Sequence, residues 1–222
     1  VLIGVALSLW AQGRVNSTFS RYSRVRSMTG MTGAEAARRL LNAQGIYDVT
    51  VQQIAGELTD HYDPRTKTVN LSQSVYGATS VAAIGVAAHE CGHAMQDNEG
   101  YAPLRFRSAL VPVANFGSSL SWPLILLGLV FGGLGSPLVE IGILMFSLAV
   151  LFQLVTLPVE YNASARAVRL LDAQGILAGE EVNGTRKVLN AAALTYVAAA
   201  ATSILQLLRL IILFGGRNRR DR

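Results

Sequence analysis

The sequence predicts a mainly α, multi-pass integral membrane protein that carries a small β hairpin. Three observations predict it. Of the 222 residues, 51% are of the AVILMFWYC type and only 15% are charged, whereas a soluble domain carries about 25% charged residues. The apolar residues are gathered into blocks at 110–134, 137–159 and 189–214, and a bilayer needs about 20 residues to cross. The 17 Arg and 2 Lys behind the net charge of +5 stand mostly beside these blocks, as membrane-interface anchors do. No basic stretch is interleaved with aromatic residues, so nucleic acid is excluded as a partner and the lipid bilayer takes its place. Cys91 is the single cysteine, which excludes an intrachain disulfide.

Taken in order, residues 1–12 are apolar but too few to cross, and read as the end of a span that begins upstream. Residues 13–31, with Arg14, Arg21, Arg24 and Arg26 among Ser and Thr, read as a juxtamembrane connector. Thr32-Gly-Ala-Glu35 is a capping box. The helix it opens stops at Gly45, with Ile46 placed to pack on Leu41 in a Schellman motif. The segment ARRLLNAQGI at 37–46 recurs as AVRLLDAQGI at 167–176; two helices ending in the same way explain this more simply than an internal repeat. Residues 57–72 read as a hairpin turning at Asp63-Pro64-Arg65-Thr66, with Asp first and Pro second in the turn. Residues 72–77 read as a loop. Thr79 or Ser80 caps a helix over 80–97, which Asn98-Glu-Gly100 ends.

Residues 110–159 form a transmembrane helical hairpin, since the link Gly132–Pro137 is short and uncharged. A helix over 160–188, an apolar helix over 189–214 and a basic tail over 215–222 follow, and the whole chain is one domain. Ten basic residues lie in 13–109, four in 160–188 and none in 132–137. The positive-inside rule therefore puts 13–109 and 160–188 on the cytoplasmic side of the cell membrane. The last block conflicts with that rule if it crosses once, because the basic tail would then lie outside. Re-entry, or packing on the other helices with Arg209 snorkelling, stays open beside it.

The chemistry is concentrated in His89-Glu90-Cys91-Gly92-His93, an HExxH pattern. On a helix, residues four apart lie about 40° apart, so both imidazoles face one point and suit Zn²⁺. Glu90, about 100° round the helix, reaches the attacking water rather than the metal and serves as general base. Cys91 faces away as a packing residue, and Gly92 leaves room for a close approach. A catalytic zinc needs a third protein ligand and an open position. Glu140 lies at the far end of its span. Asp97 and Glu99 are one or two turns beyond His93 on the same helix. Glu160 follows the transmembrane hairpin, so it returns to the side that holds the histidines, and is the best candidate. His61 and Tyr62, on the hairpin ahead of the HExxH helix, are candidates for substrate or oxyanion contacts; Tyr161, Arg166 and Tyr196 are further ones.

The runs TDHYDPRTKTVNLS, AAHECGHAMQ, YAPLRFRSALVPVANFG, VTLPVEYNASARA and KVLNAAALTYVAAA together resemble the neutral zinc metallopeptidases of bacterial membranes, over nearly the whole chain. The zinc core is also similar to that of the heat-shock and prenyl-protein-processing membrane metallopeptidases, in which a strand hairpin precedes HExxH and a later helix carries Glu-x-x-Ala-Asp. The resemblance implies a zincin-like active helix, one zinc per chain, and Glu160 of Glu160-Tyr-Asn-Ala-Ser164 as third ligand. It places Ser164 where the related proteins have an Asp that orients a ligand imidazole; Ser accepts the same hydrogen bond without the charge. The function expected is a zinc-dependent membrane endopeptidase that hydrolyses peptide bonds with a zinc-activated water. Its substrates would be peptides or proteins, membrane proteins among them. The competing expectation is a catalytically inactive membrane scaffold with a structural zinc, which would need a fourth protein ligand; His61 is the histidine left to supply one.

Overall fold

The computed structural model describes residues 2–133 and 136–214. In chain order these form α1 (Leu2–Tyr22), α2 (Gly33–Ala43), β1 (Thr50–Ile54), β2 (His61–Asp63), β3 (Thr68–Ser72), α3 (Gln73–Tyr76), α4 (Val81–Asn98), α5 (Ala102–Gly132), α6 (Pro137–Ala173) and α7 (Glu180–Phe214). The protein is a mainly α, multi-pass membrane protein: α5, α6 and α7 are each long and apolar enough to cross a bilayer. The basic tail expected over 215–222 and part of the 132–137 link lie outside the described residues.

Two compact units are present. One comprises Val1–Trp10, Arg105–Pro158 and Tyr196–Arg222, the other Ala11–Leu104 and Val159–Thr195. In the first, α5 and α6 approach through glycine. A Cβ at Gly117 would lie 2.7 Å from the Met145 carbonyl oxygen, and one at Gly142 would lie 2.8 Å from that of Ser121. Lipid tails are as apolar as Leu, so close backbone packing at small residues takes the place of a hydrophobic drive between spans. Leu126, Val130, Phe131 and Ile212 are exposed, the inverse of a soluble surface.

The second unit holds α2, the sheet and α4, with the end of α6 and the start of α7. Leu40, Leu41, Val69, Leu71, Ile84, Cys91, Leu171 and Ile176 share its buried core. The capping box of α2 is complete: Glu35 N–H donates to Thr32 Oγ1 at 3.2 Å and Thr32 N–H to Glu35 Oε2 at 2.8 Å. The helix stops where expected. Ile46 N–H donates to Leu41 O at 2.9 Å, and Gly45 has φ +70°, the left-handed value a Schellman turn demands. α6 ends in the same way, with Ile176 N–H on Leu171 O at 3.0 Å and Gly175 at φ +60°. The recurrent segment is thus a shared stop.

Five elements differ from expectation. α1 continues through Tyr22, because no proline interrupts Arg14–Arg21, and the connector shortens to 23–32. The expected hairpin is narrower, pairing His61–Asp63 antiparallel with Thr68–Asn70. β1 adds a third strand, parallel to β3, in the order β1-β3-β2. Residues 73–76 form a helical turn, not a loop. The helix expected over 160–188 is the end of α6, a turn, and the start of α7. Nothing after Pro158 breaks the helix, so Glu160 rides on the second span's own helix. The block 189–214 is uninterrupted helix within α7, which removes re-entry. The turn at Asp63 is as expected: its carboxylate accepts from Arg65 N–H at 2.9 Å and from the Thr66 hydroxyl at 3.1 Å.

Candidate metal centre

Ser80 caps α4, accepting from Ala83 N–H at 3.2 Å. The helix then presents His89 and His93 one turn apart, their rings edge to face with centroids 4.8 Å apart. Glu160 meets them from α6. Its Oε2 lies 3.2 Å from His89 Nε2 and 3.4 Å from His93 Nε2. Among the described residues these three form the group that could hold a metal, with ligand atoms all within 4.8 Å of one another. Two atoms bound to one tetrahedral zinc at 2.0–2.1 Å stand about 3.3 Å apart, so the two spacings to Glu160 match that ion.

Glycine sets the approach of α4 to α6. A Cβ at Gly92 would lie 2.6 Å from the Ala163 carbonyl oxygen. Gly92→Val should therefore push the helices apart, cost about 1–3 kcal/mol as overpacking does, and release metal. A melting curve with a metal assay would check both effects.

The outer nitrogens of both imidazoles are tied to neighbours. His89 Nδ1 is 3.1 Å from Ser164 Oγ. His93 Nδ1 is 3.0 Å from Gln96 Oε1. The Gln96 amide nitrogen already donates to Val159 O at 2.9 Å and to Asn162 Oδ1 at 3.0 Å. Its oxygen must therefore accept from His93 Nδ1–H, which leaves the Nε2 lone pair free for a metal shared with Glu160. Gln96 was not singled out in the sequence. Its signal is position: it stands three residues after His93, on the same helix face. Gln96→Ala should weaken metal affinity by about 10–100-fold, the usual loss for a residue that orients a ligand, as a competitive chelator titration would measure.

Glu90 is buried beside the pair at 7% exposure. Burial pushes its carboxyl above the usual range, against the pull of His89 and His93. Cys91 faces away: its Sγ lies 3.6 Å from Ala37 O, and burial pushes the thiol up, beyond reactivity at neutral pH.

The remaining candidates are mostly engaged elsewhere. His61 holds Thr59 O at 2.9 Å through Nδ1 and lies 3.2 Å from Asn70 Nδ2 through Nε2. Tyr62 donates to Asp97 at 2.9 Å, and burial together with that carboxylate pushes its phenol up. Arg166 pairs with Glu99 at 2.6 Å and donates to Asn162 at 2.7 Å. Tyr196 belongs to the other unit. Tyr161 is half exposed and, with Ser164, walls a groove of about 380 Å³ between α6 and α7. Asp60, also unforeseen, anchors the end of β3 through Ser72 N–H at 2.7 Å, and its burial raises its carboxyl.

Membrane spans joined to an HExxH helix, with a carboxylate from a later helix completing a two-histidine, one-carboxylate set, define a membrane protein of the HExxH metal-site class. More narrowly, the chain belongs to the family described as "Putative neutral zinc metallopeptidase", which it matches over residues 1–215. It is 49% identical over 213 residues to the "Putative membrane protease YugP" of Bacillus subtilis (strain 168), a match covering 96% of this chain and 94% of that protein. No solved structure matches.

Proposed function

We propose that the protein is a zinc-dependent membrane endopeptidase whose 222 residues work as one peptidase domain. The convergence of His89 Nε2, His93 Nε2 and Glu160 Oε2 beside Glu90 carries the reading. These three residues hold one Zn²⁺ per chain, which supplies Lewis acidity toward the substrate carbonyl and the attacking water. Glu90 takes a proton from that water and passes it to the leaving amine. Its buried carboxyl, raised above the ordinary range, suits a group that must both accept and return a proton near neutral pH. Ser164 and Gln96 hold the imidazoles in position.

β2 is an edge strand beside α4, joined to it by the Tyr62–Asp97 bond. An extended substrate would add to the free edge by main-chain pairing. Tyr161, the exposed phenol next to Glu160, is the first choice for an oxyanion donor; His61 and Tyr62 would first have to give up their present partners. Basic residues in 13–109 and 160–188 favour an active site at the cytoplasmic face of the plasma membrane. Substrates are peptides or proteins that reach this face, membrane proteins among them. A structural zinc would need four protein ligands, and the group found among the described residues has three.

Detergent-purified protein should cleave an unfolded substrate such as casein, and 1,10-phenanthroline should stop the cleavage. Zinc-loaded protein that cleaves neither casein nor membrane-protein substrates would favour the scaffold instead.

A further inference from the structure

α1 and α7 border a second groove, away from the metal residues. At one end a Cβ on Gly184 would lie 2.8 Å from the Tyr22 ring. From there the groove runs toward Arg14 on α1 and Leu194 on α7, so the helices are antiparallel along it. Its volume is about 470 Å³. Arg14, Ser17, Thr18 and Arg21 line it from α1, and Lys187 and Asn190 from α7. Three cations thus face one cleft that no carboxylate lines. The Arg21 guanidinium is steadied over Tyr22, 5.6 Å from the ring centroid.

The charge pattern sets the level of this groove in the membrane. Leaving it along α1, residues 13 back to 2 carry no charge; leaving it along α7, residues 188–208 carry none. Because the helices are antiparallel along the groove, the uncharged residues 11–13 and 188–195 leave it in the same direction. α7 is one of the helices able to span. Trp10, one turn from Arg14, is 53% exposed, as suits an aromatic at the boundary between lipid tails and water. The groove therefore lies where phospholipid headgroups lie.

We infer that this groove binds the phosphate headgroup of an anionic phospholipid. Arg14, Arg21 and Lys187 neutralise the phosphate, while Thr18 and Asn190 offer hydrogen bonds to the glycerol and phosphate oxygens; the Ser17 hydroxyl donates to Arg14 O at 3.2 Å. A basic pocket between helices at the membrane surface is suited to this, and a concave cleft selects a single headgroup where a flat basic surface would only concentrate anionic lipid. The site stands independently of the metal.

Native mass spectrometry and melting of the full chain in detergent test it, with phosphatidylglycerol, phosphatidylcholine or inorganic phosphate added. Phosphatidylglycerol should stay bound through delipidation and raise the melting temperature; the other two should not. The Arg14→Gln/Arg21→Gln/Lys187→Gln variant should retain it at least tenfold less well. The Arg24→Gln/Arg65→Gln/Arg105→Gln variant, with the same charge loss elsewhere, should bind as the wild type does. If the triple variant does not fold, Lys187→Gln alone should still weaken retention several-fold. Equal retention in the groove variants, equal loss in the control variant, or the same stabilisation by phosphatidylcholine or free phosphate would overturn the inference.

Discussion

Glu90→Gln is expected to lower casein cleavage by about 10³-fold while the protein keeps its zinc and its melting temperature. The amide has the shape of the carboxylate but cannot take a proton, and removing a general base costs roughly 10²–10⁴-fold. Glu90 is no member of the ligand group, so the metal should stay. Burial disfavours its charged form, so the neutral amide should not unsettle the fold. The informative result is the split between the two assays: activity lost, metal kept. Loss of zinc together with activity would show that Glu90 is a ligand. Retention of activity would remove it as base.

The second large effect is expected from Glu160→Ala, with zinc falling from about one ion per chain to a small fraction and cleavage falling with it. Oε2 of Glu160 stands within 3.4 Å of both imidazole Nε2 atoms, so its removal leaves two neutral ligands where a catalytic zinc has three. The residue is 3% exposed, so a melting curve should accompany the zinc assay. Glu140→Ala, in the first turn of the same helix, is the control and should keep full occupancy by elemental analysis.

Much of this was legible in the sequence because it rests on local rules. Capping boxes, glycine stops and the four-residue spacing of His89 and His93 are written in a few adjacent residues. Glu160 was reachable through topology: a chain that crosses and returns brings position 160 back to the side of position 89. What stayed hidden depends on tertiary packing. β1, TVQQI, buries only Val51, so its strand character comes from pairing with β3 and not from its own pattern. Gln96 looks like any polar residue near a helix end until Val159 and Asn162 are seen to take its amide hydrogens. The continuity of α6 past Pro158 was masked because a proline after an apolar run reads as a boundary. In a spanning helix the freed backbone carbonyl is tolerated.

Zinc K-edge X-ray absorption on the detergent-purified wild-type protein shows whether His89, His93 and Glu160 hold an open zinc site. A first shell of nitrogen and oxygen at about 2.0–2.1 Å is expected. Multiple scattering should count two imidazoles, and the shell should include an exchangeable ligand that a thiol inhibitor replaces with sulfur. A sulfur neighbour before any inhibitor is added or a third imidazole would contradict the ligand set, and a shell that no inhibitor alters would mean a closed structural site.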